Sequence, residues 1–182
     1  MTSQMQAGVS SSSKEDEFAS RIQSGIATVE AWDDDPTLLA ECRLMIPLEE
    51  LMSDTSSCSR DDDCLYSYET NPNALFLKRL AVHFQTNVMT WVNAPPCANC
   101  GKKESMECQA TRPAETTEEK EGQARRVEVY HCKNCPGVVT TFPRYNSCRK
   151  LLETRTGRCG EYANLFGLYC RAVGFETRYV SD

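Results

Sequence analysis

Residues 157–174 read GRCGEYANLFGLYCRAVG, and this stretch predicts one helix that carries a cysteine at its start. The helix should run from about Cys159 to Val173, because apolar residues recur there at helical spacing. Gly174 follows in the position where helices end on a left-handed residue. The residues expected on the buried side of this helix are Ala163, Phe166, Cys170 and Val173. The aromatic and β-branched content of residues 175–180 then predicts a strand.

Cys159 lies between two glycines, Gly157 and Gly160, and these small residues allow a substrate carbonyl to approach the thiol closely. Backbone N–H groups at a helix start, helped by Arg158, favour a thiolate and would stabilise an oxyanion. The arrangement therefore indicates a candidate nucleophile. From these residues alone, a buried structural cysteine is an equally good interpretation. Only a structural role is expected for Cys42, Cys58, Cys64, Cys148 and Cys170.

Two C-x-x-C pairs precede this helix, Cys97 with Cys100 and Cys132 with Cys135. Two intervening residues form a tight turn that brings both sulfurs to one tetrahedral ion, so the pairs predict a structural site for one zinc ion. Four sulfur ligands leave zinc no open position for chemistry. Redox-active or incidental cysteines are the alternative, although a redox C-x-x-C normally stands alone after a strand. The nearby residues that could replace a ligand are Cys108 and His131.

Several other elements are predicted from local patterns. Asp and Pro at 35–36 predict a helix start, and Pro47 interrupts that helix. Residues 71–93 predict a second helix with one apolar stripe. The members of that stripe are Leu77, Leu80, Ala81, Phe84, Val88 and Trp91. Between the cysteine pairs, the hydrophilic residues 109–126 predict a mobile loop, and the alternating residues 127–130 predict a strand.

Charge is divided unevenly along the 182 residues. Residues 1–70 hold 15 acidic and 4 basic residues, whereas residues 71–182 hold 11 acidic and 16 basic. The basic residues are scattered without interleaved aromatic residues, so nucleic acid is not an expected partner. No apolar run approaches the ~20 residues of a membrane span. The 11 cysteines are an odd number, and the N-terminus lacks the apolar core of a secretion signal, which favours a cytoplasmic location.

A known family resembles this chain from about residue 46 onward. Residues 142–182, FPRYNSCRKLLETRTGRCGEYANLFGLYCRAVGFETRYVSD, resemble the cytosolic peptide:N-glycanase family most specifically. TWVNAPPCANCG at 90–101 and the second C-x-x-C are similar as well, and IPLEEL at 46–51 is a weaker similarity. Members of this family are transglutaminase-like amidases that remove N-linked glycans from misfolded glycoproteins.

The resemblance implies an α+β fold: the N-terminal half of a papain-like or transglutaminase-like core, with the nucleophile helix on an antiparallel sheet and a four-cysteine zinc-binding lobe. We accordingly expect residues 1–34 to be a disordered acidic leader. A short helix and a linker should occupy residues 35–70. The partial core should occupy residues 71–182, with the zinc-binding insertion at 97–135.

The resemblance also implies roles for individual residues. Cys159 matches the nucleophile, and Trp91 matches a tryptophan beside the cleft that would give its indole N–H to the oxyanion or else belong to the core. The four paired cysteines match the zinc ligands. The implied substrates are misfolded N-glycoproteins, whose asparagine becomes aspartate through a thioester in support of ER-associated degradation. The further implications are ubiquitin–proteasome shuttle factors as partners and a monomeric state.

The chain departs from the family's pattern in several places. Tyr162 and Ser181 stand where the family usually has Trp, which alters the lining of the cleft. The family's catalytic His and Asp follow the strand after the nucleophile helix, and the two histidines here, His83 and His131, both lie upstream. We therefore expect a chain truncated before the general base and inactive alone. The alternative hypothesis is a catalytically inactive zinc-binding isoform or fragment that acts as an interaction module.

Overall fold

The computed structural model describes residues 10–53 and 71–178. The helices are α1 Ser10–Asp33, α2 Pro36–Leu44, α3 Leu48–Ser53, α4 Pro72–His83, α5 Thr117–Glu121, α6 Cys148–Thr154 and α7 Cys159–Ala172, and a π-helical turn, Phe84–Val88, continues α4. The strands are β1 Thr90–Trp91, β2 Met106–Arg112, β3 Val127–Cys132, β4 Val139–Pro143 and β5 Thr156–Gly157. The predicted mixture of helices and sheet is thus confirmed.

Helix α7 lies at the centre of the larger core, where it packs against α2 and α6. Its most deeply buried side chains are Leu165, Leu168 and Tyr169. Ala163 was predicted to be buried, but it is exposed. The apolar spacing favoured one side of α7, whereas the neighbouring helices cover a different side. In the described residues, α7 thus packs chiefly on helices rather than on the expected antiparallel sheet.

Helix α2 begins as its sequence predicts. The Asp35 side chain accepts a hydrogen bond from the Leu38 backbone N–H at 2.9 Å, and Pro36 occupies the first turn. The helical conformation is interrupted at Pro47, and α3 begins at the next residue. Neighbouring residues set these helix boundaries, because the effects of the cap and of the missing proline N–H extend over only one turn.

Helix α1 corrects the expectation of a disordered leader for residues 14–33. Val29 and Trp32 are buried in the main core, and the Trp32 ring lies against the backbone of α7 at Gly167. Arg171 donates to the Asp33 carboxylate at 2.7 Å. These contacts between the C-terminal end of α1 and α7 stabilise α1. A prediction from composition does not detect contacts between distant segments. Residues 1–9 lie outside the described residues.

The second predicted helix ends earlier than its apolar stripe suggested. Asn71 caps α4 by accepting from the Asn73 N–H at 3.0 Å, as expected. After the π-helical turn, β1 pairs in parallel with β5, so that Trp91 lies opposite Gly157. The prediction of helix through residue 93 is therefore wrong. Inter-strand hydrogen bonds, including Thr90 N–H to Arg155 O at 2.8 Å, prevail over the helical spacing of the apolar residues.

The lobe that carries the two C-x-x-C pairs, which we call the metal-binding lobe for its candidate site, is an antiparallel sheet in the order β2-β3-β4. The strand predicted at 127–130 is confirmed as part of β3. The prediction of a mobile loop at residues 109–126 is wrong, because part of β2 and all of α5 lie within this range. A capping box between Thr116 and Glu119 starts α5, and Arg112 pairs with Glu119 at 2.7 Å. These polar residues therefore make ordered internal contacts.

The strand predicted for residues 175–180 does not form in the part of it that the structure describes, residues 175–178. Gly174 has φ +90°, which confirms the left-handed position after the helix. Residues 175–178 are irregular, and residues 179–182, which include Ser181, lie outside the described residues. Residues 54–70, which contain Cys58, Cys64 and the linker part of the segment predicted at 35–70, lie outside them as well.

Candidate active site and metal centre

The four paired cysteines form one cluster, as their spacing predicts. Their sulfur atoms all lie within 4.8 Å of one another, and the Sγ atoms of Cys100 and Cys132 are 3.7 Å apart. Tetrahedral zinc with bonds of about 2.3 Å separates two sulfurs by about 3.8 Å, so the cluster fits one such ion. The members of the cluster are Cys97, Cys100, Cys132 and Cys135.

Turns and neighbouring polar groups position these thiols. Gly101 has φ +71°, and its N–H donates to Cys97 O at 2.9 Å, which closes the first turn. Asn99 reaches both pairs, through its N–H to Cys97 Sγ and its side-chain amide to Cys135 Sγ. Hydrogen bonds lower the pKa of Cys132 to about 6, and the largest contribution comes from the Ser105 hydroxyl, 3.4 Å from Cys132 Sγ. Despite the hydrogen bond from Asn99, burial and the neighbouring thiols raise the pKa of Cys135 to about 11. A thiolate is the form that binds metal.

The proposed replacement ligands do not join the cluster. Cys108 is exposed on β2, and its thiol contacts Ala110 O at 3.5 Å. His131 lies on β3 opposite Glu107. Within the described ranges, the cluster consists of the four cysteines of the two C-x-x-C pairs.

Cys159 is the first residue of α7 and is exposed to solvent. The first helical hydrogen bond runs from Tyr162 N–H to Arg158 O at 2.9 Å, so the amides of Cys159 and Gly160 precede it. Amides at this position have no partner within their own helix and can face an anion. The Glu161 carboxylate accepts from Arg158 N–H at 2.9 Å and closes the first turn. Because Cys159 is exposed, the alternative of a buried structural thiol is wrong, and its role as a nucleophile stays a prediction.

A nearly neutral cluster of two carboxylates and two guanidinium groups supports this turn. Arg144 donates to both oxygens of Glu161 at 2.8 Å and to Glu128 at 3.1 Å. Arg158 donates to both oxygens of Glu128, at 2.8 and 3.2 Å. Burial raises the pKa of both carboxyls, but their hydrogen bonds outweigh it and hold each pKa below its ordinary value. We call these four residues the charge cluster.

Sequence reasoning named Arg158 alone among these four. Glu161 carries a detectable signal, because it stands three residues after the helix N-cap in the position of a capping-box glutamate. Glu128 and Arg144 carry none, because a single polar residue in or after a strand gives no indication of its distant partners.

An aromatic wall flanks the face of α7 that carries Cys159. Tyr162 is one turn from Cys159, and its ring lies 5.5 Å from that of Trp91 between centroids. Trp91 is 50% exposed, and its indole N–H donates to Asn93 Oδ1 at 2.7 Å. An open depression of about 350 Å³ lies along this wall. Its lining residues are Ala81, Phe84, Gln85, Trp91, Tyr162, Ala163 and Phe166.

Neither histidine is paired with the candidate nucleophile. A ring nitrogen of His83 lies 3.3 Å from the Asn87 side-chain amide, and His131 belongs to β3. In the part of the chain that the structure describes, no hydrogen bond joins either imidazole to Cys159. The other described thiols of the main core, Cys42, Cys148 and Cys170, are buried as expected.

Comparison with known proteins shows which proteins this chain resembles. Residues 107–182, which include α7 and Cys159, match the family model described as the transglutaminase-like superfamily. Over this segment the chain is similar to the transglutaminase-like superfamily, and it is also similar to proteins named peptide-N(4)-(N-acetyl-beta-glucosaminyl)asparagine amidase. One such relative, from Oryza sativa subsp. japonica, is 39% identical over 168 residues, or 92% of this chain and 36% of the relative.

Two further relatives bear the same name. The protein from Candida glabrata is 39% identical over 135 residues, which cover 74% of this chain and 37% of that relative. The protein from Caenorhabditis briggsae is 48% identical over 106 residues, which cover 58% of this chain and 17% of that relative. The chain thus spans well under half the length of each. No helix among the described residues has the length and apolar content that a membrane crossing requires.

Proposed function

We propose that this chain supplies the nucleophile-bearing part of a peptide-N-glycanase amidase that removes N-linked glycans from asparagine. The observation that carries the proposal is the exposed thiol of Cys159 on the first residue of α7, within the segment that matches the transglutaminase-like superfamily. The names of the relatives supply the substrate class. The family resemblance implies that the substrates are misfolded N-glycoproteins.

The first chemical step is attack by the Cys159 thiolate on the carboxamide carbon of a glycosylated asparagine. The amides of Cys159 and Gly160 would stabilise the resulting oxyanion. Trp91 can be a third donor if its indole N–H leaves Asn93 Oδ1 and donates to the oxyanion instead. Collapse breaks the C–N bond, releases the glycosylamine and leaves a thioester on Cys159. Water then hydrolyses the thioester, so that the asparagine becomes aspartate and the thiol is regenerated.

The leaving glycosylamine needs a proton, and the attacking thiol must lose one. An imidazole usually performs both transfers near neutral pH. Since neither His83 nor His131 hydrogen-bonds to Cys159 in the described residues, we assign these transfers to a residue outside them. The family resemblance implies a His supported by an Asp.

The four-cysteine cluster is proposed to hold one structural zinc ion, which would supply folding energy to the lobe of β2, β3 and β4. The described cysteines are free thiols, which suits the reducing cytoplasm. A cytoplasmic amidase of this kind would act in ER-associated degradation, as a monomer served by ubiquitin–proteasome shuttle factors.

Glycan release from a denatured N-glycoprotein, followed by gel mobility, tests the proposal. We expect no measurable release by the 182-residue chain, because a missing general base costs about 10²–10⁴-fold. A version extended at its C-terminus to supply the implied His and Asp should release glycan, and its Cys159→Ala variant should not. Release that persists in the Cys159→Ala variant would refute the role of Cys159.

The reactivity of the thiol tests the same site without turnover. Cys159 should react with iodoacetamide near neutral pH faster than Cys108, which is also exposed but lies on a strand. Peptide mass spectrometry after brief labelling gives both rates in one molecule. Equal rates would mean that the helix start does not activate Cys159.

A further inference from the structure

Glu128 lies on β3 of the metal-binding lobe, yet its carboxylate is directed to the base of the helix that carries Cys159. The residue is 5% exposed. It accepts hydrogen bonds from Tyr130, Arg144 and Arg158 at 2.8, 3.1 and 2.8 Å. A carboxylate with this many charged and polar donors is costly to neutralise, because its partners would be left buried without a counter-charge.

Arg158 joins Glu128 to the start of α7. Besides Glu128, its guanidinium donates to the backbone oxygens of Val92 and Asn93 at 2.8 Å and to the Tyr130 hydroxyl at 2.8 Å. These partners lie after β1 and on β3, whereas the backbone of Arg158 forms the N-cap of α7. One side chain thus fixes the residue before Cys159 to the metal-binding lobe.

The geometry points to Glu128 as a positioning residue for Cys159: through Arg158, its carboxylate holds the first turn of α7 in the orientation that presents the thiol and the adjacent amides. This inference rests on the proposed role of Cys159 as nucleophile. Glu128 itself makes no hydrogen bond to Cys159, so its effect passes through Arg158 and, by way of Arg144, through Glu161.

Two variants separate this role from a direct electrostatic effect. Glu128→Gln keeps the size of the side chain but removes its charge. The loss of a nearby negative charge would by itself favour the Cys159 thiolate and speed its alkylation, whereas release of the first turn would slow it. Arg158→Lys keeps the positive charge but lacks the planar set of donors that reaches Glu128, Val92 O and Asn93 O together.

Glu119→Gln is the matched control. Glu119 is 4% exposed, belongs to the same lobe and pairs with Arg112 through two hydrogen bonds of 2.7 and 2.8 Å. It makes no hydrogen bond to any member of the charge cluster. Its substitution therefore breaks an equally buried ion pair without releasing Arg158.

The experiment measures iodoacetamide labelling of Cys159 relative to Cys108 in zinc-loaded protein, with metal content determined for each variant. We expect the ratio to fall about threefold in Glu128→Gln and Arg158→Lys, the scale of helix-end stabilisation of an anion. The Glu119→Gln variant should keep the wild-type ratio. Hydrogen exchange should accelerate in residues 158–165 of the two test variants while β2 and β3 stay protected.

An unchanged or higher ratio in metal-containing Glu128→Gln or in Arg158→Lys would overturn the inference, and so would the same loss in the Glu119→Gln control. If Glu128→Gln does not retain metal, Arg158→Lys decides the question alone. Failure of the proposed function can be distinguished from failure of this inference. In that case, Cys159 and Cys108 would be labelled equally fast in the wild-type protein.

Discussion

Gly157 and Glu161 approach each other so closely that a Cβ atom on Gly157 would lie 2.3 Å from the Glu161 Cβ. This contact lets β5 pass directly under the first turn of α7. It also leaves the Glu161 carboxylate in place to meet Arg144 and the Arg158 N–H. A side chain at residue 157 would therefore displace the turn that carries Cys159.

Gly157→Ala should destabilise the protein by about 1–3 kcal/mol, the usual cost of overpacking a close contact. Urea unfolding measures the change. Gly160→Ala is the control, because a Cβ there meets no atom within 4 Å and the position is helical. That variant should be as stable as the wild type or more stable by up to about 1 kcal/mol. Equal stability of the two variants would contradict the contact.

Purified protein should contain one zinc ion per chain, and Cys97→Ser or Cys132→Ser should lose both the metal and the folded lobe of β2, β3 and β4. The reason is that metal-binding energy in a four-thiolate site is largely folding energy. Elemental analysis and circular dichroism measure the two losses. Cys108→Ser, which removes an exposed thiol from the same lobe, should keep the metal. Stoichiometric zinc in a variant with all four ligands changed to Ser would refute the site.

Trp32→Ala should cost about 3–5 kcal/mol, as expected for a buried aromatic side chain, and should free α1 from α7. Hydrogen exchange over residues 14–33 would then rise toward the rate of an isolated helix. The chain's other tryptophan provides a control, since Trp91 is half exposed and its truncation should cost much less. Unchanged protection of α1 in Trp32→Ala would show that this side chain does not anchor the helix.

Stability should fall as the pH rises above about 9. Burial raises the pKa of Cys42 and of Cys148 to about 12, and that of Cys170 to about 11, from an ordinary value of 9.0. The unfolded chain loses these protons first, so the stabilising contribution is complete below the ordinary value and disappears as the pH rises through the folded values. Each thiol contributes up to about 1.4 kcal/mol per pH unit. Denaturation at pH 8, 9 and 10 should show the decline.

The Cys148→Ala variant should show a shallower decline, because one titrating group is gone. Its absolute stability is not the test, since the substitution also leaves a small cavity. An identical slope in the variant and the wild type would mean that the Cys148 thiol does not contribute to the pH dependence.

Local chemistry made the helix starts and the metal cluster predictable from sequence. Asp35 and Asn71 cap helices through contacts that span two or three residues, and Gly174 ends α7 through its own backbone conformation. The C-x-x-C spacing likewise fixes the distance between two sulfurs within one turn. The position of Cys159 at a helix start follows from the same local rules.

Contacts between distant segments decided what local patterns did not. Trp91 fits a helical stripe, but its pairing with β5 places it in a strand. Residues 14–33 have a polar composition that favours disorder, but they belong to α1, whose Val29 and Trp32 side chains are buried in the main core.

The sequence by itself determined where α2, α4 and α7 begin, which four thiols gather into one cluster and which thiol stands at a helix start. Only the tertiary structure decided the surroundings of that thiol. Glu128, Arg144 and Arg158 are widely separated along the chain, and their charges become neighbours when β3 and α7 meet. The physical reason is that caps and metal turns depend on bonds within a few residues, whereas buried charges depend on partners that folding brings together.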